Sequence, residues 1–182
     1  AAGDPPLRGL QQCSGDYVQV SGDGLSVRHR DDRGDVMHGV VLSRAPLARG
    51  RAGLYFEVEV TEVRPDPDEA PDGLTLGVTA TAPAGVRLDP PTAEHIPETW
   101  AMGYDGQMWD PVAQQLSPID WDPRCLREGD TVGVLVTGSE GELLLFHNGV
   151  ARCPGPRGVP VHSAQLWAVV DVLGSARAVR WR

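Results

Sequence analysis

The sequence predicts an all-β fold, an antiparallel β-sandwich built from about eleven short strands. Short runs in which apolar and polar residues alternate recur along the 182 residues. They are separated by turn residues, and the 22 Gly and 16 Pro are well above average usage and spread along the chain without a period. No stretch with a convincing helical period interrupts this pattern, so strand-on-strand packing is the preferred architecture.

The first half of the chain contains a lead-in segment, five predicted strands and an acidic loop. Residues 1–15 form the lead-in segment, and residues 16–182 form one domain. The predicted strands are Tyr17–Val20, Leu25–Arg28, Val36–Ser43, Leu54–Val63 and Leu74–Thr79. Residues 64–73 contain three prolines and four carboxylates, which forbid a central strand and predict an exposed loop. The spacing of Asp66, Asp68 and Asp72 resembles a calcium loop only superficially, because prolines lie between the carboxylates and neither a glycine nor a bidentate glutamate stands at the position that such a loop requires.

The second half of the chain supplies six more predicted strands. A long connection covers residues 80–97, and the stretch between residues 104 and 130 is predicted to be irregular. Asn148-Gly149 is typical of a type I′ turn, which closes a tight hairpin. The predicted strands are Thr99–Tyr104, Asp130–Val136, Glu142–His147, Val150–Arg152, Leu166–Leu173 and Ala176–Trp181.

The charge and cysteine content restrict the partners and the compartment. A net charge of −9 excludes nucleic acid and anionic membrane surfaces as main partners, so a basic or neutral peptide segment of a protein is favoured. No apolar run approaches the roughly eighteen residues of a membrane span, so no direct membrane insertion is expected. The three cysteines, Cys13, Cys125 and Cys153, are too few for a disulfide scaffold, which indicates a reducing, cytoplasmic location. Nothing in the sequence specifies an oligomeric state.

Three stretches together resemble the Neuralized homology repeat (NHR) family. They read HGVVLSRAPL at residues 38–47, LTLGVT at 74–79 and LWAVVDVLGS at 166–175, and their order and spacing match the family, although Leu173 stands where the family usually has Tyr. Residues 128–150 are similar to both NHR and SPRY domains, and residues 100–106 look more like SPRY domains. The resemblance implies a bent, concanavalin- and SPRY-like sandwich whose end loops bind peptide segments of partners, often in ubiquitin ligases or scaffold proteins. It implies no catalysis.

The candidate ligand-binding residues lie in loops that we expect to converge at one end of the sandwich. Arg44 and Arg124 would pair with ligand carboxylates or backbone carbonyls, and Tyr104 and Trp109 would supply apolar contact. Trp109 and Trp121 are either ligand anchors or residues that cap an open end of the sandwich, whereas Trp100 and Trp167 are predicted core residues. The full candidate set is Arg44, Pro46, Tyr104, Asp105, Trp109, Trp121, Arg124, Gly174 and Ser175.

No catalytic, metal or cofactor site is predicted. The five histidines never pair at metal-ligand spacing, and neither a C-x-x-C pair nor a G-x-S-x-G elbow occurs. Glu57 and Glu59 share a strand face as glycosidase carboxylates do, but a solvated strand face explains them more simply. Two alternatives to peptide binding stay open: a scaffolding domain that uses its sheet faces in a cytoskeletal or membrane-associated assembly, and, third, a lectin-like carbohydrate-binding domain.

Overall fold

A computed structural model describes residues 9–12, 17–30, 37–64, 72–86 and 90–182. Within these residues, fourteen strands form two seven-stranded antiparallel sheets that pack face to face, which confirms the predicted all-β sandwich. Single 3₁₀ turns at Pro83–Gly85, Ala93–His95 and Pro123–Cys125 are the helical elements of the described part. None of them has the length or apolar character that a bilayer span requires.

The first sheet is buried on both of its faces at its centre. Its strands, in spatial order, are β1 (Leu10–Gln12), β4 (Val40–Ser43), β13 (Trp167–Asp171), β6 (Thr75–Thr79), β7 (Thr99–Gly103), β8 (Gln107–Asp110) and β9 (Gln115–Pro118). Every residue of β4, β6, β7 and β13 is buried, which agrees with their nearly continuous apolar sequences. The inner face packs against the second sheet. The outer face carries a smaller apolar cluster that includes Ala93 and Ile96 from the connection before β7.

The second sheet has one buried and one solvated face. Its strands, in spatial order, are β12 (Val150–Pro154), β11 (Leu143–His147), β10 (Thr131–Thr137), β5 (Gly53–Val63), β14 (Ala176–Trp181), β3 (Ser26–His29) and β2 (Val18–Val20). In β5, Phe56, Val58 and Val60 are buried, whereas Tyr55 is 46% exposed and Glu57 points to the same outer face. The alternation of β5 follows from the two-residue period of a strand with one wet face.

The main core lies between the two sheets and is formed by side chains from both inner faces. Trp100 is 5% exposed and belongs to the main cluster, as predicted, and Trp167 is 9% exposed and therefore also buried, although it lies outside that cluster. Phe56 stacks on Trp181 with ring centroids 5.4 Å apart. The remainder of the cluster is largely Val and Leu from both inner faces.

Each predicted strand has a counterpart, and three strands were not expected. β1 lies in the predicted lead-in segment and pairs with β4, Leu10 opposite Ser43. β8 and β9 form a hairpin within the stretch between residues 104 and 130, so the prediction of irregular structure there is wrong. The Asn148-Gly149 turn is confirmed, with φ of 52° and 74° as a type I′ turn requires. The predictions for Cys13, Val36, Asp66 and Asp68 lie outside the described residues.

Candidate functional site

Strand register brings three loops together at one end of the first sheet. Asp171, the last residue of β13, lies opposite Thr75, the first residue of β6, and β7 runs antiparallel to β6 and ends at Gly103. Residues 72–73, 104–106 and 174–175 therefore meet. The Ser175 N–H donates to the Asp72 carbonyl at 2.8 Å, and the Gly73 N–H donates to the Tyr104 carbonyl at 2.7 Å.

A fourth loop, residues 119–124, closes against the other three. The Ile119 N–H donates to the Gly106 carbonyl at 2.9 Å. Gly73 lies so close to Pro123 that a Cβ on the glycine would be 2.6 Å from the proline ring. We call the assembly of residues 72–73, 104–106, 119–124 and 174–175 the Tyr104 end.

Tyr104 is the central side chain of this end and has a strained backbone. Its φ is 50°, a left-handed conformation that costs a bulky residue about 1–2 kcal/mol. The Tyr104 N–H donates to Thr75 Oγ1 at 2.9 Å, which helps to hold the conformation. Backbone strain of this kind concentrates at functional sites.

The Tyr104 side chain is buried instead of presented to solvent. It is 4% exposed and packs in the outer apolar cluster with Leu173 and Ile96. Burial first, and then the carboxylates of Glu94, Asp171 and Asp72, raise the pKa of Tyr104 well above its usual value. The expectation that Tyr104 supplies an open apolar contact is therefore corrected: the connection before β7 covers its ring.

Asp171 fixes that covering connection to the sheet. Its side chain is fully buried, and Oδ2 accepts a hydrogen bond from the Ala93 N–H at 2.9 Å. Burial, followed by the nearby carboxylates of Glu94 and Asp72, raises the pKa of Asp171 well above its usual value, although the Ala93 hydrogen bond opposes the shift. Glu94 follows Ala93 directly, and its carboxylate is near enough to Tyr104 to raise the pKa of that residue.

The rim of the Tyr104 end carries charged groups of both signs. Asp105 is exposed, and so is Arg124. The Arg124 guanidinium donates to both oxygens of Asp122, with Nη2 2.6 Å from Oδ2 and Nε 3.0 Å from Oδ1. This bond is the main reason that the pKa of Asp122 is lowered. Burial, followed by Asp105 and Glu94, raises the pKa of Asp72, and Arg124 only partly opposes this.

The two candidate anchor tryptophans occupy different environments. Trp109 lies in β8 opposite Ala101 and packs, partly exposed, against the outer apolar cluster that contains Tyr104. Trp121 is 8% exposed, belongs to the main core and meets the His147 ring edge-on at 6.2 Å. Of the two, Trp109 offers the larger accessible surface, and Trp121 closes the end of the sandwich.

Gly174 and Ser175 are both buried at the floor of the Tyr104 end. A Cβ on Gly174 would lie 1.9 Å from the Asp72 carbonyl oxygen, so the close approach of the two loops requires glycine. Ser175 is fully buried, and its carbonyl accepts a hydrogen bond from the Arg64 N–H at 2.8 Å.

Arg44 and Pro46 do not join the other candidates. β4 runs antiparallel to β13, with Val40 opposite Asp171, so the loop that follows Ser43 leaves from the opposite end of the sheet. The predicted convergence of all the loops at one end is therefore wrong for these two residues. Arg44 Nε donates to the Leu10 carbonyl at 3.0 Å, so this side chain braces β1.

Pro46 lines a groove at that opposite end, which we call the Pro46 groove. Its volume is about 310 Å³. Tyr55, Glu57 and Trp181 line it together with Pro46 and Ala48. The Tyr55 hydroxyl donates to Glu57 Oε2 at 3.0 Å, and burial and this carboxylate raise the pKa of Tyr55 to about 12.

Three acidic residues in or next to the Tyr104 end are not identified as site residues by the sequence. Asp72 was assigned to a solvated loop, Glu94 lies in the long connection, and Asp171 lies within the apolar strand sequence WAVVDVL. A carboxylate inside a run of buried apolar residues is costly without a specific partner, so Asp171 could have been noticed from the sequence. Glu94 carries no comparable signal, because its proximity to Tyr104 depends on tertiary packing.

Comparisons with known proteins agree with the fold. The family model described as Neuralized matches residues 10–182. The chain is similar to the crystal structure of the Drosophila melanogaster Neuralized-NHR1 domain, with a TM-score of 0.69, 16% identity, and coverage of 98% of this chain and 99% of that chain. It is also similar to the TRIM65 PSpry domain, with a TM-score of 0.62, 18% identity, and coverage of 96% and 88%. The SPRY domain of human HERC1 has a TM-score of 0.62 at 14% identity, with coverage of 95% and 96%.

Proposed function

The chain belongs to the Neuralized family, and from this premise we propose that it is a protein-interaction module that binds a peptide segment of its partner through the Tyr104 end. One observation carries the proposal. Four loops are joined backbone to backbone into a single end that presents Asp105 and Arg124 to solvent, and the partly exposed Trp109 lies in β8, the strand that follows residues 104–106. A rigid scaffold that positions variable loops is the usual arrangement of a recognition site.

The alternative, a scaffolding domain that uses a sheet face, has less support. The outer face of the second sheet does carry Tyr55 and Phe146, whose rings meet edge-on at 6.0 Å. The same face carries the ion pairs of Glu62 with Arg28 at 2.7 Å and with Arg177 at 2.8 Å. A broad apolar patch of the kind that drives assembly is therefore interrupted by charge.

The proposed module has a recognition role and no catalytic step. In a longer protein it would select the substrate of a ubiquitin ligase or hold the partner of a scaffold protein. The thiols of Cys125 and Cys153 are free, which suits a reducing cytoplasmic environment.

A peptide selection tests the proposal. Phage-displayed random dodecapeptides are selected on the folded domain, and the enriched peptides are then titrated by fluorescence polarisation. Trp109→Ala should weaken them by about thirtyfold, the effect of a typical hot-spot residue of about 2 kcal/mol. Val150→Ala, at a 55% exposed position on the other sheet, is the matched control and should leave affinity unchanged.

A second control separates binding from folding. Trp100→Ala removes a core side chain and should cost roughly 3–5 kcal/mol of unfolding free energy, so it should impair binding only through loss of fold. If the Trp109→Ala domain melts as the Trp100→Ala domain does, Trp109 is a structural residue. Unchanged affinity in a fully folded Trp109→Ala domain would place the binding surface elsewhere.

A further inference from the structure

Two polar side chains at the floor of the Tyr104 end are fully buried and have unused hydrogen-bonding capacity. Asp171 Oδ2 accepts from Ala93, but no described residue donates to Asp171 Oδ1. The Ser175 hydroxyl also has no hydrogen-bond partner within the described part of the chain, although Ser175 is fully buried. An unsatisfied buried polar group costs about 1–3 kcal/mol, so two such groups under one loop cluster call for a functional explanation.

The second observation is a concentration of negative charge around these groups that Arg124 offsets only in part. Asp72, Glu94 and Asp105 belong to three different segments that the hydrogen bonds to Ser175, Asp171 and Gly73 draw together. Their mutual repulsion is visible in Asp72, whose pKa is raised by burial first and then by Asp105 and Glu94. Arg124 already donates to both oxygens of Asp122, and its charge offsets the repulsion at Asp72 only in part.

The Tyr104 hydroxyl lies within the same field. It is buried, and the nearby Glu94 carboxylate is among the causes of the raised pKa of Tyr104. A cationic hydrogen-bond donor placed between Glu94 and Asp72 would relieve the repulsion of the carboxylates and would offer protons to several oxygens at once. Among the described residues, no group of three carboxylates, histidines or cysteines could hold a metal ion.

We propose that the Tyr104 end is a specificity site for a basic side chain, arginine in preference to lysine, in the peptide of the partner protein. The guanidinium would bind among Asp72, Glu94 and Asp105, with Asp171 Oδ1 and the Ser175 hydroxyl as the polar floor. Arginine is preferred because its planar group has five donors in a fixed arrangement, whereas lysine has three around one nitrogen. This inference rests on the proposed function, because it names the residue that the peptide-binding end selects.

Small probes test the inference without knowledge of the partner. Acetyl-arginine methylamide, acetyl-lysine methylamide and the neutral isostere acetyl-citrulline methylamide are titrated into the ¹⁵N-labelled domain and followed by amide chemical shifts. The arginine probe should shift the amides of Gly73, Tyr104, Gly106 and Ser175. The arginine probe should bind at least tenfold more tightly than the citrulline probe, and it should also bind more tightly than the lysine probe. The affinity for the arginine probe should fall with added salt.

Two charge-neutralised variants complete the experiment. The double variant Glu94→Gln and Asp105→Asn should weaken the arginine probe at least tenfold, whereas the exposed Glu140→Gln, in the turn between β10 and β11, should leave it unchanged. The dispersed amide spectrum of each variant reports that it is folded. Equal affinity for arginine and citrulline, or a double variant that binds as the wild type does, would overturn the inference.

The failure of this inference is distinguishable from that of the proposed function. If selected peptides depend on Trp109 but neither they nor the probes require a basic residue, the Tyr104 end binds peptides by other contacts and only the inference is wrong. If neither the selected peptides nor the probes bind at the Tyr104 end, both proposals are wrong.

Discussion

Gly174→Ala is the substitution that most directly tests the construction of the Tyr104 end. The new methyl carbon would lie 1.9 Å from the Asp72 carbonyl oxygen, 2.1 Å from the Asp72 carbonyl carbon and 2.7 Å from the Gly73 nitrogen. All three neighbours are backbone atoms, so no side chain can rotate away to make room. The loop at residues 72–73 must therefore move away from residues 174–175.

The cost follows from the contacts that this movement breaks. Overpacking a filled interior costs about 1–3 kcal/mol. Displacing the loop also strains the bonds of Ser175 to Asp72 and of Gly73 to Tyr104, each worth about 1 kcal/mol. We expect Gly174→Ala to lower the free energy of unfolding by about 3 kcal/mol and, with an m-value of about 2 kcal/mol/M, to lower the urea midpoint by about 1.5 M.

The assay is equilibrium urea unfolding followed by tryptophan fluorescence. Gly22→Ala is the matched control, because a Cβ at Gly22 meets nothing within 4 Å and its φ is not positive. It should leave the midpoint within the range of an ordinary surface substitution, about 0.5 kcal/mol. If Gly174→Ala unfolds at the same urea concentration as Gly22→Ala, residues 72–73 and 174–175 do not approach as described, and the geometry of the Tyr104 end is wrong.

Two further predictions concern the turn and the ion pairs of the second sheet. Gly149→Val should lower the free energy of unfolding in urea by roughly 1–3 kcal/mol, because the φ of Gly149 is 74°. The space around a Cβ at this position is open, so the cost would come from backbone strain and not from a clash. Gly22→Val is the control, because Gly22 has similar open space and no positive φ. Glu62→Gln should cost about 0.5–1 kcal/mol at pH 7 and less at an acidic pH below the ordinary glutamate pKa. The hydrogen bond from Arg28 is the largest cause of the lowered pKa of Glu62, so the stabilisation is present above the ordinary glutamate pKa and is lost as pH falls through the lowered folded value. Equal destabilisation by Glu62→Gln at both pH values would mean that the ion pairs do not contribute.

The strands with regular alternation were predictable, and three short strands of the first sheet, β1, β8 and β9, were not. In β5, Phe56, Val58 and Val60 face the core because a half-buried strand must alternate. β1 and β9 have only three and four residues, and each pairs with a single neighbouring strand. Their sequences are therefore too short to show the alternation of apolar and polar residues that identifies a strand. β8 contains Trp109 beside Asp110, and none of its residues is fully buried, which hides it among turn residues.

The position of a loop within a sandwich depends on pairing that the sequence does not contain. The motif HGVVLSRAPL and the motif LWAVVDVLGS belong to adjacent antiparallel strands, so the residues that follow each strand leave from opposite ends. Arg44 and Gly174 are therefore separated, although both follow strands that carry the family resemblance. The burial of Tyr104 was equally hidden, because it depends on the bond between Asp171 and Ala93, 78 positions apart.

The same long-range bonds give the Tyr104 end the two properties that selective binding of a charged group requires. Asp171 and Ser175 are held in place by backbone contacts, so their polar atoms are positioned before a ligand arrives and little ordering entropy is lost on binding. The acidic side chains come from loops that are joined by hydrogen bonds, so the loops cannot simply move apart. A bound cation would therefore reduce the repulsion between the carboxylates. In a chain with a net charge of −9, the wider field also attracts a basic partner and speeds its approach. Preorganisation thus favours a tight contact at the floor, while the long-range charge favours rapid and salt-dependent association. The titration with citrulline measures binding without the charge, and the titration with salt measures the contribution of the long-range charge.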